Sequence, residues 1–343
     1  TGSETAIYIS PDAYVDESRI MNGVNIQGNI VSDWNPVPSD TTELRFGTKI
    51  GDDGKHVQDD NFNLSYSGNI NSNSGIYMRV LGGTLEYNGT ANVKNVDILA
   101  GATLSGTGKY ILTAETRANN EIVRGALYNM GTFDLGEGIQ KINIEGNYCQ
   151  ETNANLKVDF DTNGESDKLI IKDGSATLNG HLNLTPQVDY YYNNQKITID
   201  IVEGAITSNS INGEKVHFNN ISPVLEFSLN KTDTTDELIN KGEYVNNVKR
   251  KGQGYQNVAT DDISSGIGSA IDIDSQKKYV LTIDKEKLLT SLDYPLTITN
   301  TDAEKNKVVS NNLKKLNPNV VGSQAQAVIE THTTLNNLVS TVS

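Results

Sequence analysis

A single cysteine, Cys149, stands in 343 residues, so no intrachain disulfide can form and the fold must be held by packing. Aromatic residues are scarce at 6%, with one tryptophan, and hydrophobic residues reach only 36%. That is thin for one compact globule of this length. It suits a narrow core filled by small aliphatic side chains. No apolar run approaches the roughly 20 residues of a membrane-spanning helix. No signal peptide is visible at the start, and the opening Thr1-Gly2-Ser3 reads as a cloning remnant on a piece of something longer. Basic residues are in the minority: 28 Lys and Arg against 43 Asp and Glu give a net charge of −15. Such acidity repels nucleic acid and anionic membrane alike, so neither is an expected partner.

What the chain has is turns and alternation. Thirty glycines punctuate it. From Asn155 to Glu203 the sequence reads NLKVDF, DTNGESD, KLIIKDG, SATLNG, HLNLTP and KITIDIVEG. Alternation puts Leu156, Val158 and Phe160 on one face, then Leu169 with Ile171, Ala176 with Leu178, Leu182 with Leu184, and Ile197, Ile199 and Ile201 together. Asn163-Gly164, Asp173-Gly174 and Asn179-Gly180 supply turn residues that tolerate positive φ. The rhythm is steady from about 76 to 230, as in NVDILAGATLSGTG (Asn95 to Gly108) and VLEFSLNK (Val224 to Lys231). Stacked β coils of this kind bury a continuous aliphatic core that no single coil forms alone.

Three divisions follow. Residues 1–75 are the least regular and read as an irregular N-terminal β region. Residues 76–235 form the β stem. In 236–343 the period lengthens: Ile263, Ile267 and Ile271 are spaced by four, Leu281, Leu288, Leu289 and Leu292 share a helical face, Val308 to Leu316 suits a short helix, and Ala325 to Val339 a final one. The expected fold is therefore mainly β, a right-handed parallel β-helix (solenoid) followed by an α-helical linker region.

Three segments resemble the passenger of a bacterial autotransporter, a self-secreting protein of Gram-negative outer membranes. AGATLSGTG (Ala100 to Gly108) looks like coil sequence of such passengers. Gly146 to Pro186, with its Ser-Asp-x-Leu and Gly-x-Leu-x-Leu pattern, is similar to the region often called the autochaperone, placed here at about 140–230. LNPNVVGSQAQAVIE (Leu316 to Glu330) resembles the segment preceding the membrane barrel, where Gly322, Ala325 and Ala327 fit and Asn317-Pro318 departs. The region before 80 resembles linker that follows a subtilisin-like domain. The resemblance implies a non-catalytic cell-surface or secreted stem supporting adhesion or virulence. Its implied partners are its own outer-membrane barrel beyond this chain and a host surface protein or glycan. It also leaves open the stalk of a subtilisin-like protease, or a glycan-binding or glycan-cleaving β-helix.

Catalytic chemistry is hard to find. Gly47-Thr48 and Gly106-Thr107 lack the serine of a subtilisin motif, and His56, His181, His217 and His332 have no readable acid and nucleophile partners. Asp159, Asp161 and Asp167 cluster as candidate glycosidase carboxylates, although acids at turns also serve to keep a stem soluble. For metal, GDDGKHVQDD offers Asp52, Asp53, His56, Asp59 and Asp60, and Asp161, Asn163 and Asp167 offer calcium oxygens, but the distal Glu of an EF-hand is missing. One cysteine and scattered histidines exclude a structural zinc site. Cys149 reads as a buried small hydrophobe rather than a reactive thiol, which would need a cation and has only Lys141 near in sequence. Tyr190, Tyr191 and Tyr192 form a contact patch or, preferably, a cap on a core corner. Trp34 is a core residue or a binding anchor, and His332 packs on an apolar helix face. No catalytic residue, cofactor or resident metal is expected.

Overall fold

The computed structural model describes residues 4–250, apart from 14, 35–41, 73–74, 117–121, 188–190, 192–194, 220–224 and 231–234. The described residues are mainly strand, wound in successive coils. The first coil carries β1 (Thr5–Ile9) and β2 (Glu17–Met21). The second carries β3 (Asn29–Ser32), β4 (Thr42–Ile50), its hairpin partner β5 (His56–Gln58), and β6 (Asn63–Tyr66). The third has β7 (Ile70–Ser72), β8 (Ile76–Val80) and β9 (Thr84–Tyr87). The fourth has β10 (Thr90–Val93), β11 (Asn95–Ile98) and β12 (Thr103–Ser105). In the fifth, β13 (Lys109–Leu112) leads through a hairpin, β14 (Ala114–Thr116) with β15 (Ile122–Arg124), to β16 (Ala126–Asn129) and β17 (Thr132–Asp134). The sixth holds β18 (Lys141–Glu145), β19 (Asn147–Gln150) and β20 (Asn155–Phe160). The seventh holds β21 (Lys168–Leu178) and β22 (His181–Pro186). After β23 (Lys196–Asp200) comes an eighth, β24 (Val202–Asn209) and β25 (Val216–Phe218), then β26 (Leu225–Leu229), α1 (Asp236–Asn240) and β27 (Glu243–Arg250).

Equivalent strands of successive coils pair in parallel and build three sheets. The first runs β1-β3-β7-β10-β13-β18-β21, the second β2-β4-β8-β11-β16-β19-β21, and the third β6-β9-β12-β17-β20-β22-β25. Strand β21 serves two sheets because it turns a corner: Lys168–Lys172 pairs with β18, and Ala176–Leu178 with β19. This is a parallel β-solenoid. Asp173 takes the positive φ there (54°), while Gly174 is required for close approach, since a Cβ on it would lie 2.1 Å from the Gly146 carbonyl oxygen. At 163–164 it is Gly164 that takes the positive φ (86°).

The alternation seen in sequence becomes columns of side chains. Leu64, Leu85, Leu104, Phe133, Leu156, Leu182 and Val216 are successive register partners along the third sheet, all pointing inward and all buried. Strands lie about 4.8 Å apart, so each such residue between the two ends is covered by the one above and the one below. Aromatic rings form a second line through the core: Tyr66, Tyr87, Tyr110, Phe133 and Tyr148, with centroids 5.8, 6.1, 6.1 and 6.0 Å apart. On the outer face of the second sheet, Arg19, Arg45 and Arg79 stand in register, and Arg45 bridges Glu17 and Glu43. Arg79 then reaches Glu43 at 3.1 Å and Asp97 at 2.9 Å, which offsets like-charge repulsion up the ladder. Strands β1 to β7, from the part of the sequence where the rhythm is weakest, lie in these same sheets.

One end of the stack is closed by an antiparallel sheet, β23-β27-β26. KITID therefore leaves the solenoid to cap it, with Ile197 and Ile199 buried against the last coils. Phe160, Tyr191 and Phe227 meet edge to face, with Tyr191 and Phe227 centroids 5.0 Å apart. The α-helical linker expected from 236 onward is not supported. Only Asp236–Asn240 is helical within the described residues, N-capped by the Thr235 hydroxyl. Gly242 (φ 77°) then turns the chain, and Tyr244, Asn246 and Val248 alternate inward as strand β27. The helical periods proposed for 263–271, 281–292, 308–316 and 325–339 lie outside the described residues.

Candidate functional site

The outer face of the third sheet carries a broad concavity. Because the inward positions are committed to the aliphatic column, the alternate positions of the same strands all point to solvent. Register stacks Glu86, Ser105, Asp134 and Lys157 in one outward column. Asp159 and Thr185 are paired in the next. These side chains line a groove of about 790 Å3. Its walls are tied by Asn88, which donates to Glu86 (3.0 Å) and accepts from the Thr107 backbone N–H (2.9 Å), and by Asn219, which donates to Thr185 (3.2 Å).

The groove is acidic. Glu86, Asp134, Glu137 and Asp159 line it against the ammonium of Lys157, which sits 3.0 Å from Asp134. Burial pushes the Asp159 carboxyl up to about 6, although the Gly138 N–H donates to it at 3.1 Å. Burial likewise pushes Asp167 up to about 7. Such a groove can accept hydrogen bonds from hydroxyl or ammonium groups. Among the described residues no aromatic side chain lines it, and its described walls are polar and charged.

The three aspartates singled out in the sequence part company. Asp159 faces the groove. Asp161 caps its own turn, accepting from the backbone N–H of Asn163 (2.8 Å) and Glu165 (2.9 Å). Asp167 is buried, accepting from the N–H of Gln140 (2.6 Å) and of Asp159 (2.7 Å), and so pins the sixth coil to the seventh. Of these three candidate carboxylates Asp159 alone lines the groove, and Asp161 and Asp167 are engaged by backbone amides instead. Asp134, Glu137 and Lys157 were missed because sequence alternation marks them as outward without saying which coil lies beside which.

Other candidates resolve individually. In the β4–β5 hairpin Asp53 accepts from the Lys55 N–H (3.0 Å), Lys49 reaches Asp59 (3.6 Å) and Gln58 donates to Asp60 (2.9 Å). No group of three or more His, Cys, Asp or Glu side chains fit for a metal exists among the described residues. Cys149 corrects the expectation of a core position: it is half-buried on the outer face of the second sheet, between Tyr128 and Thr177 in register. Burial, with the charge of Glu151, pushes its thiol up, away from thiolate chemistry. Trp34 is buried, and Tyr191 is fully buried at the cap. Tyr190, Tyr192 and His332 lie outside the described residues. His181 and His217, unrelated in sequence, meet on the outer face of β22 and β25. Comparison with family models, curated proteins and solved structures gives no match.

Proposed function

We propose that this chain is the non-catalytic stem of a cell-surface protein, an autotransporter-type passenger that folds outside a Gram-negative cell and holds a binding module away from it. The observation that carries this reading is the continuous column from Leu64 to Val216, in which each residue is covered by adjacent coils alone. A stack of that kind gains stability coil by coil as chain emerges, with no disulfide to obstruct threading. We take the coil as right-handed, the hand that parallel crossovers adopt almost without exception. Its partners are then an outer-membrane barrel that follows it and a host surface protein or glycan. A protease domain upstream would make the same rod a protease stalk. The test is fusion of this chain to the barrel of a self-secreting protein. Surface display of a protease-resistant passenger is expected; retention in the periplasm, or display of an unfolded chain, would overturn the proposal.

A glycan-binding role is the second reading, favoured by the polar groove at Asp134, Asp159 and Thr185. Its acidity selects neutral or amino sugars over anionic ones. Asp134→Asn with Asp159→Asn should abolish any signal on a glycan array, and a signal unaffected by both excludes the groove.

A further inference from the structure

The chain has four histidines, and two of them meet. His181 lies on β22 and His217 on β25, thirty-six residues apart in sequence. Register pairs Asn183 with His217, so the two imidazoles are diagonal neighbours across adjoining coils. Nδ1 of His181 is 3.1 Å from Nε2 of His217, and the rings are inclined by only 30°. Nearby cations are held elsewhere. Lys215 turns its ammonium to the Asn179 carbonyl (2.7 Å) and Ser210 hydroxyl (3.1 Å), and Lys157 is paired with Asp134. A hydrogen bond between two solvent-facing imidazoles contributes little stability, since water satisfies each ring equally well.

We propose that His181 and His217 chelate a divalent transition-metal ion of the copper or nickel type. A cation about 2.1 Å from both nitrogens at their present separation would subtend an angle of about 95°. That is close to the right angle of tetragonal copper(II) or nickel(II) and narrower than the tetrahedral angle of zinc. Binding requires both facing nitrogens in their unprotonated form, with the N–H of each ring on its other nitrogen, and a reorientation of the two rings toward the ion. Water completes the coordination, so the site is open. The strong negative charge of the chain draws cations to it. A bound ion would also tie the seventh coil to the eighth, next to the cap.

The test is titration of the full chain with copper(II), nickel(II) or zinc(II) chloride in non-coordinating buffer, followed by calorimetry and, for copper, electron paramagnetic resonance. One saturable equivalent is expected, tightest for copper, with nitrogen coupling in the spectrum. His181→Asn or His217→Asn should each weaken copper binding at least about tenfold, while His56→Asn leaves it unchanged. Copper should raise the unfolding temperature of the parent and not of the double variant. The metal-free variants should melt with the parent, because both side chains face solvent. Absence of saturable binding, or a loss smaller than that in either variant, overturns the proposal.

Discussion

At the scale of single residues, polar groups inside a narrow rod decide more than their number suggests. Tyr110 is fully buried and its hydroxyl has no hydrogen-bond partner among the described residues, whereas the Tyr66 hydroxyl donates to the Gly28 carbonyl at 3.0 Å. Removing an unpaired buried hydroxyl relieves a desolvation cost; removing a paired one leaves an acceptor orphaned. Tyr110→Phe should therefore raise stability by about 1 kcal/mol and Tyr66→Phe lower it by about as much, read as shifts of the urea midpoint. Asp159 and Asp167 set the pH response. Their folded values, about 6 and about 7, lie above the usual carboxylate range, so the folded state holds protons that the unfolded chain has lost. Their contribution is complete below about pH 4, the unfolded value, and disappears as pH rises through 6 and 7. The urea midpoint should fall between pH 5 and pH 8, and Asp159→Asn with Asp167→Asn should flatten that slope. A slope unchanged in the double variant would show that other groups govern it.

At the scale of the element, strand identity was legible wherever inward residues alternate cleanly. Leu156, Val158 and Phe160 all point inward as the NLKVDF pattern requires, and Leu182 with Leu184 likewise. Leu156→Ala opens a hole bounded by Phe133 and Leu182 and should cost about 2–5 kcal/mol. The Arg45 ladder is different: its charges are partly solvated on the outer face, so Arg45→Ala should cost less than about 1 kcal/mol and lose that effect in high salt. Strand β23 shows where pattern fails. KITID alternates as faithfully as NLKVDF, yet it pairs antiparallel with β27 across the end of the stack. Alternation reports that one face is buried and not which neighbour buries it. The helical reading failed over 243–250 for a related reason, since burial of Tyr244 and Val248 on strand β27 overrides local helical preference.

At the scale of the whole molecule, the described residues form a rod whose coils depend on their neighbours and whose one end is shielded by an antiparallel cap. Such a stack loses cooperativity when a middle coil is removed. Deleting 140–230, which takes out the sixth to eighth coils together with β23 and β26, should abolish refolding of the preceding coils; refolding at an unchanged rate would place the nucleus elsewhere. The sequence by itself determined the repetition, the inward aliphatic set and the absence of covalent staples, because these are local in the chain and need only the period-two geometry of a strand. Tertiary structure alone decided the register that lines Asp134, Lys157 and Asp159 along one groove. It also committed Asp167 to backbone amides, swung β23 out as a lid and brought His181 to His217. Each of those facts depends on which coil lies against which, and that is fixed by burial between segments far apart in the chain.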